Sequence, residues 1–591
     1  MNYKWSLESI YTGFDSHTFR EDITQFEKEI ENLNVISTTL SDVHTLETFY
    51  LTLEKVELLG SRLIGFCNLN FSTDTGNEEA LKNKNHLMGL ISQTTPANAR
   101  LTKFLSQLDS LDTMIEHSET LKKYAFILKE AQIKASHMLS EPEEILISKL
   151  KLTGSNAWST LQSKLVSGLM ASIELKGTVQ ELPISSVRNL ASSTSKATRK
   201  AAYEAELKAY GKIDEAVAMA LNSIKGEVIE VSRLRGYNSP LEMTLENSRM
   251  TQKTLKAMLD AIEHKLPSFH RYLKTKAGLL GYENGLPFYD LFAPIGNASK
   301  QYTFEEGRKF VVDHFRTFSD RLADTAQKAI DLNWIDVEPK KGKVSGAFCA
   351  SQHSIGEFRI LLNYTGNLGD VTTLAHELGH GYHATCISEE SILNTHYPMP
   401  LAETASTFCE TIVNNAALKV ASDAEAITVL ENSLQDATQV ICDIYSRYTF
   451  ESTLFDTRTD HPLSVQELNK LMTDAQIKAY GEGLDINVLN PYMWLIKPHY
   501  YSAGLNFYNF PYAFGLLFAK GLYAKYIENP EFFKSKYDSL LAASGKMSIT
   551  EVCKIMDIDV ESTEFWISSL EILENDIDTF IDLAGKEHTN E

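Results

Sequence analysis

The sequence predicts a mainly α-helical protein with a small β element beside its most distinctive motif. Three observations carry that reading. Apolar residues recur three and four apart between charged ones over long stretches, the spacing that puts them on one helix face. Only 15 Pro and 30 Gly punctuate 591 residues, too few for a chain of hairpins. Strict alternation appears at 357–364, "EFRILLNY", where Phe358, Ile360, Leu362 and Tyr364 share one face. The length also exceeds one compact core of ordinary size, so two or more structural units are expected.

Taken in order, "LKKYAFILKEAQIKASHML" (121–139) reads as an amphipathic helix. A Ser/Thr/Lys run, "ASSTSKATRK" at 191–200, then interrupts the apolar pattern. It marks a division into an N-terminal helical region, 1–190, and a larger region, 191–591. Ser195 is placed to cap a helix starting near Lys196. "TLKAMLDAIEHKLPSFHRYLKTKAGLL" (254–280) is a second long amphipathic helix, followed by a Gly-, Pro- and aromatic-rich loop at 281–299. After the 357–364 strand, "TGNLGD" turns the chain, and Asp370 is set to cap the helix that follows. The sequence contains no internal repeat of fixed period.

The formal charge of −22 argues against nucleic-acid and anionic-membrane partners, which need a basic footprint. Six cysteines without a CxxC pair do not make a disulfide framework. The opening "MNYKWSLESIYTGFD" lacks a basic-then-apolar leader, and apolar runs such as "AFGLLFA" (513–519) are too short to span a bilayer. A cytoplasmic location is expected. Neither GxGxxG after a strand nor GxxxxGK[ST] occurs, which removes the commonest nucleotide readings.

Chemistry concentrates in "LAHELGHGYHATC", 374–386. Residues four apart on a helix lie about 40° apart in azimuth, so His376 and His380 point the same way and can hold one zinc ion. Glu377 lies roughly 100° round from His376, beside the metal, where a general base takes a proton from zinc-bound water. Catalytic zinc takes three protein ligands and keeps one position open. The third is expected from "YPMPLAETASTFCETIV", where Pro398 and Pro400 set a helix start. Glu403 is assigned as that ligand; Glu410, two turns on, is assigned as an acceptor that orients a ligand histidine. His383 also falls on the ligand face and is expected to be a neighbour or a substrate contact. The bland alternative, a solvated polar helix face, loses ground to the combination of strand, cap and Pro-started Glu helix.

At this point the chain resembles the thimet oligopeptidase-like zinc metallopeptidases, in particular their oligoendopeptidase F branch. The likeness is carried by "WSLESIYTGFDS", "FYDLFAPIG", "NYTGNLGDVTTLAHELGHGYH" with "PLAETASTFCE", and "KPHYYSAGLNFYNFPYAFG". The resemblance implies two helical lobes flanking a deep substrate channel, with a small β-sheet near the HExxH zinc site. It implies that 191–591 is the catalytic domain, that one Zn2+ is bound per chain, and that short unfolded peptides are cut internally. The 357–364 strand would lie in the channel wall, its edge free to pair with an extended peptide. His499, Tyr508 and Tyr512 match the family's donors to the developing oxyanion. Phe510 stands where many relatives carry a further Tyr, and it cannot donate. Ser502, Ala503 and Gly504 give the 499–512 loop freedom to swing onto bound peptide. Two competing readings are a helical zinc carboxypeptidase, which would need a cation for the substrate carboxylate, and a non-catalytic peptide-binding scaffold, which the intact ligands and base oppose.

Overall fold

The structure, a computed structural model, describes residues 3–296 and 300–590. Helices dominate, and the described strands form one two-stranded and one three-stranded sheet. The chain divides into two compact units, each drawn from three stretches. Unit 1 comprises Met1–Met138, Ser299–Ala417 and Lys525–Ile558; unit 2 comprises Leu139–Ala298, Leu418–Ala524 and Asp559–Glu591. The 190/191 point lies in a short turn, Leu190–Ser192, inside unit 2. Leu169, Ala171 and Val187 before it share a core with Tyr210 and Leu221 after it, so a division there is one of sequence modules, not of compact units. No described helix is long and apolar enough to cross a membrane.

In unit 1, helices His17–Ser37 and Val43–Thr73 pack Phe26, Leu33, Leu46, Phe49 and Leu63 into a common core. The predicted 121–139 helix is two, Glu119–Lys123 and Ala125–Ser136. They break at Tyr124, whose buried ring packs on Tyr50 and whose hydroxyl donates to Glu54 (3.0 Å). The three-stranded sheet has the order β3-β5-β4, with β3 at Ile335–Asp336, β4 at Phe348–Gln352 and β5 at Glu357–Leu361.

That order corrects one expectation. The strand read from alternation is central, parallel to β3 and antiparallel to β4, so both of its edges are taken and β3 and β4 are the outer strands. It is also shorter than expected, and Phe358, Arg359, Ile360 and Leu361 are all buried. Alternation shows only its apolar face. Arg359 fills the other, donating from Nε to Ser6 O (2.7 Å) and from Nη2 to Ser9 Oγ (2.7 Å) and Glu357 (2.8 Å). The N-terminal "WSLES" segment is thereby tied to the strand that leads into the motif.

Unit 2 opens with a hairpin, β1 (Met170–Leu175) and β2 (Thr178–Pro183). Lys176 and Gly177 both take positive φ (51° and 79°), the primed turn that matches strand twist. The predicted 254–280 helix is observed as Gln252–Leu279, capped by Thr251 and running through Pro267. Ser195 caps Lys196–Tyr210 as read from sequence. Of the 281–299 loop, residues 297–299 lie outside the described ones. Its Asp290 is fully buried, accepting from Arg199 Nε (2.6 Å) and the Tyr282 hydroxyl (2.7 Å). That pairing accounts for the Tyr-Asp-Leu segment as a structural clamp.

Candidate metal centre

The motif helix runs Leu368–Ile387. Its N-cap is Asn367, not Asp370: the Asn367 side chain accepts from Asp370 N (2.9 Å). Asp370 sits three residues on, and its Oδ2 reaches back to accept from Thr365 N (2.8 Å) and Gly366 N (2.7 Å). The carboxylate therefore gathers the turn, while the amide caps the helix, a capping box in which each side chain takes the other's orphan donor.

One turn apart on that helix, His376 Nε2 and His380 Nε2 lie 3.1 Å from each other. Glu403 Oε2 lies 3.3 Å from the first and 3.4 Å from the second. Among the described residues, this trio forms the one cluster of His, Cys, Asp or Glu with metal-binding spacing. Ligands of a tetrahedral zinc ion at about 2.0–2.1 Å stand about 3.3 Å apart, so these three donors fit such an ion as they stand. Glu403 does not ride within one continuous helix with Glu410, as spacing suggested. It ends the short Met399–Ala402 turn, outside helical backbone (φ −95°, ψ 9°), before Thr404–Val420 begins. The break turns its carboxylate to the histidines, and Ser406 Oγ donates to it (2.7 Å). Pro398 and Pro400 open the short turn as expected.

Glu410 Oε1 is 2.5 Å from His376 Nδ1. With the ring's proton held there, the Nε2 lone pair is left facing the triangle. Burial opposes charge on His376, but the carboxylates of Glu410, Glu403 and Glu377 together outweigh it and lift the ring's pKa above the ordinary histidine value. Glu377 is buried, and its Oε2 has no hydrogen-bond partner. Burial pushes its pKa up to about 7; His376 opposes the rise, and Glu403 and Glu410 add to it.

The glycines of HELGHG carry a role that spacing arguments missed. A Cβ on Gly379 would stand 2.7 Å from Ala405 O and Ser406 Cα, and one on Gly381 would stand 2.5 Å from the Phe358 ring. The two glycines let the motif helix close onto the Glu403 segment on one side and β5 on the other. Two glycines inside a helix, each costing about 1 kcal/mol against Ala, were the available signal. His383 is fully buried, stacked on Tyr397 at 4.3 Å, with Nε2 2.9 Å from Ser544 Oγ. It is a packed support and not a substrate contact. Tyr382 beside it bonds Asp538 through a short contact.

His499, Tyr508 and Tyr512 form a cluster of their own in unit 2, with ring centroids 4.9 Å (His499–Tyr508) and 5.5 Å (Tyr508–Tyr512) apart. His499 sits in the short turn Pro498–Tyr501, and its Nδ1 is buried without a partner. Phe510 is fully buried at the start of Phe510–Glu528. The loop between is less free than its small residues suggested. Asn506 is bonded by Lys225 (3.0 Å), Asn509 donates to Glu451 (3.0 Å), and Phe507 packs on Phe455. Lys225 and Glu451 are themselves a buried ion pair at 2.8 Å. Gly504 and Leu505 at the loop's tip are exposed, while Ala503 packs on the unit 2 core.

The sequence model of Peptidase family M3 matches residues 189–572, and that of Oligopeptidase F matches 107–170. The chain belongs to peptidase family M3. It is a peptide-bond hydrolase. This M3 peptidase is 28% identical over 475 residues to an oligoendopeptidase F homolog of Lactococcus lactis, covering 79% of this chain and 78% of that one. It is 24% identical over 599 residues to oligopeptidase PepF of Bacillus subtilis, covering 98% and 87%. A solved protein from Chlamydophila abortus shares its fold at a TM-score of 0.87, with 22% identity and 98% of each chain covered. Oligoendopeptidase-F from Enterococcus faecium does so at 0.70, with 18% identity over 96% of this chain and 99% of that one.

Proposed function

We propose that this M3 peptidase is a zinc-dependent endopeptidase that cuts internal bonds of short, unfolded oligopeptides. The observation that carries the reading is the triangle of His376, His380 and Glu403 donors, with the unpartnered carboxylate oxygen of Glu377 on the adjoining residue. The names of the related oligoendopeptidases support it. His376, His380 and Glu403 would hold the ion, one per chain. When bound, zinc supplies Lewis acidity, polarising the scissile carbonyl and lowering the pKa of water.

The chain's own groups do the rest. Glu377 takes a proton from the attacking water on its free oxygen and returns it to the departing amine nitrogen, so the C–N bond breaks with a neutral leaving group. Glu410 fixes the tautomer and direction of His376. His499, Tyr508 and Tyr512 are the donors for the negative charge that develops on the former carbonyl oxygen. All these residues fall within 191–591, which we take as the catalytic module. Short peptides are the partners; the −22 charge opposes nucleic acid and anionic membranes, and the cytoplasm is the compartment we assign.

A peptide blocked at both ends tests the reading, because a carboxypeptidase cannot use it. Internal cleavage that a chelator abolishes and zinc restores is the expected result. Removal of C-terminal residues from free-ended peptides only would replace it with the carboxypeptidase reading.

A further inference from the structure

Unit 2 contains a recess of about 510 Å³ that none of the residues assigned to catalysis lines. Its walls come from 185–206, 288–292, 435–443 and 480–497, all within that unit. One side is aromatic, with Tyr203, Tyr289 and Phe292; Gln439 and Asn490 also line it, Asn490 buried with its Oδ1 accepting from Tyr492 N (3.0 Å). The volume is that of an ordinary small-ligand pocket.

Two features mark it as more than a surface dent. The backbone over Gln439–Asp443 is π-helical, an irregularity frequent at functional sites, and both end residues of that turn line the recess. The second feature is Lys497. Its side chain is 19% exposed, yet among the described residues its ammonium makes no hydrogen bond, and the nearest carboxylate, Asp443, stands at 4.0 Å. That carboxylate is already engaged by Arg447 in a close ion pair. A mostly buried ammonium with three unused donors is costly unless an acceptor arrives.

The surrounding charges sharpen the point. Arg188 also lines the recess, with Nε 3.8 Å from Glu206. Burial raises the pKa of Glu206, favouring its neutral form. Burial pushes Lys497 down to about 8; Asp443 opposes this, and Arg447 and Arg188 add to it. Within a chain of formal charge −22, the recess is a local concentration of under-compensated cations.

We propose that this recess binds the free C-terminal carboxylate of a peptide substrate, with Lys497 as its ion-pair partner and Arg188 as a second cation. Gln439 lies beside the last peptide groups, and the aromatic wall takes a terminal side chain. Lys497 is two residues from His499, at the entry to the same short turn, so an anchored carboxylate is held at a fixed place relative to that histidine. The inference rests on the reading of the chain as an oligopeptide endopeptidase. It adds that a free C-terminal carboxylate strengthens peptide binding.

The test uses binding, not turnover. Two fluorescent N-acetylated peptides, identical except for a C-terminal carboxylate or carboxamide, are titrated by anisotropy into full-length, zinc-loaded Glu377→Gln protein. The acid should bind roughly tenfold or more tightly than the amide, the effect of a charge-assisted contact. Lys497→Met in the same background should remove that preference, and Lys497→Arg should keep most of it. Equal binding of acid and amide overturns the proposal by itself, whether or not the Lys497 variants fold. An undiminished preference in folded Lys497→Met overturns it too. Failure of the endopeptidase reading shows elsewhere, as an uncut doubly blocked peptide.

Discussion

The proposed role of Glu377 requires a carboxylate free to pick up and give back a proton without holding an ion, and its unpartnered Oε2 suits that task. Glu377→Gln keeps the shape and should retain zinc while losing about 10²–10⁴-fold in turnover, the usual size of a general-base contribution. Metal analysis beside the rate decides it, because a variant that sheds zinc would make Glu377 a ligand. For the proposed oxyanion donors, Tyr512→Phe and Tyr508→Phe each remove one hydroxyl and little volume. A donor engaged in the transition state should cost about 2.7–4 kcal/mol in kcat with KM nearly unchanged; rates within a few fold of the parent in both would return the cluster to simple packing. His383 gives a pH signature. Burial, with His380 adding, pushes its pKa down to about 3 from an ordinary 6.5. Between those values the unfolded ring binds a proton that the folded ring refuses. Stability therefore falls as pH drops below about 6.5, by up to about 1.4 kcal/mol per pH unit. His383→Phe keeps a ring against Tyr397 and should show a shallower loss of urea midpoint between pH 7 and 5.5 than the parent; equal slopes would mean the ring is protonated in place.

At the scale of elements, the approach of the motif helix to the Glu403 segment is set by the missing side chain of Gly379. Gly379→Ala forces a methyl against backbone at 2.7 Å, which a flexible side-chain tip cannot relieve. Overpacking of that kind costs about 1–3 kcal/mol. The displacement also opens the ligand triangle, so zinc affinity should fall together with the thermal midpoint. A variant with unchanged zinc content under competing chelator would show that the helices are free to slide. What the sequence made legible here is what periodicity reports: the long helices, the strand before the motif, and the azimuth shared by His376 and His380. Periodicity is blind to the rest. It shows one face of β5 and so hid Arg359 and the central place of that strand. It cannot tell Asn367 from Asp370 as a cap, since both carry suitable oxygens three residues apart. It carried Glu403 into a helix that the local backbone interrupts.

The whole molecule is woven from two units, the chain passing between them at 138/139, 298/299, 417/418, 524/525 and 558/559. No local pattern hints at this, because interleaving is fixed by contacts hundreds of residues apart. It has a direct test. A fragment 191–591 begins at a boundary that composition favours, yet it lacks the helices whose core receives Ile392 and Leu393 just before the Glu403 segment. That fragment should be poorly soluble and show no cooperative unfolding; a soluble, zinc-retaining 191–591 would mean that the candidate metal-site stretch is stable without residues 1–190. Interleaving also imposes an order in time. The motif helix is braced through Tyr382 by Asp538 and through His383 by Ser544, partners 156 and 161 residues further on. At about 5–20 residues per second, synthesis reaches them on the order of ten to thirty seconds after the histidines have been added. A chain still on the ribosome thus carries the whole HELGH sequence for that interval without the braces that set its shape, and protein synthesis itself delays the appearance of a working protease until the chain is nearly complete.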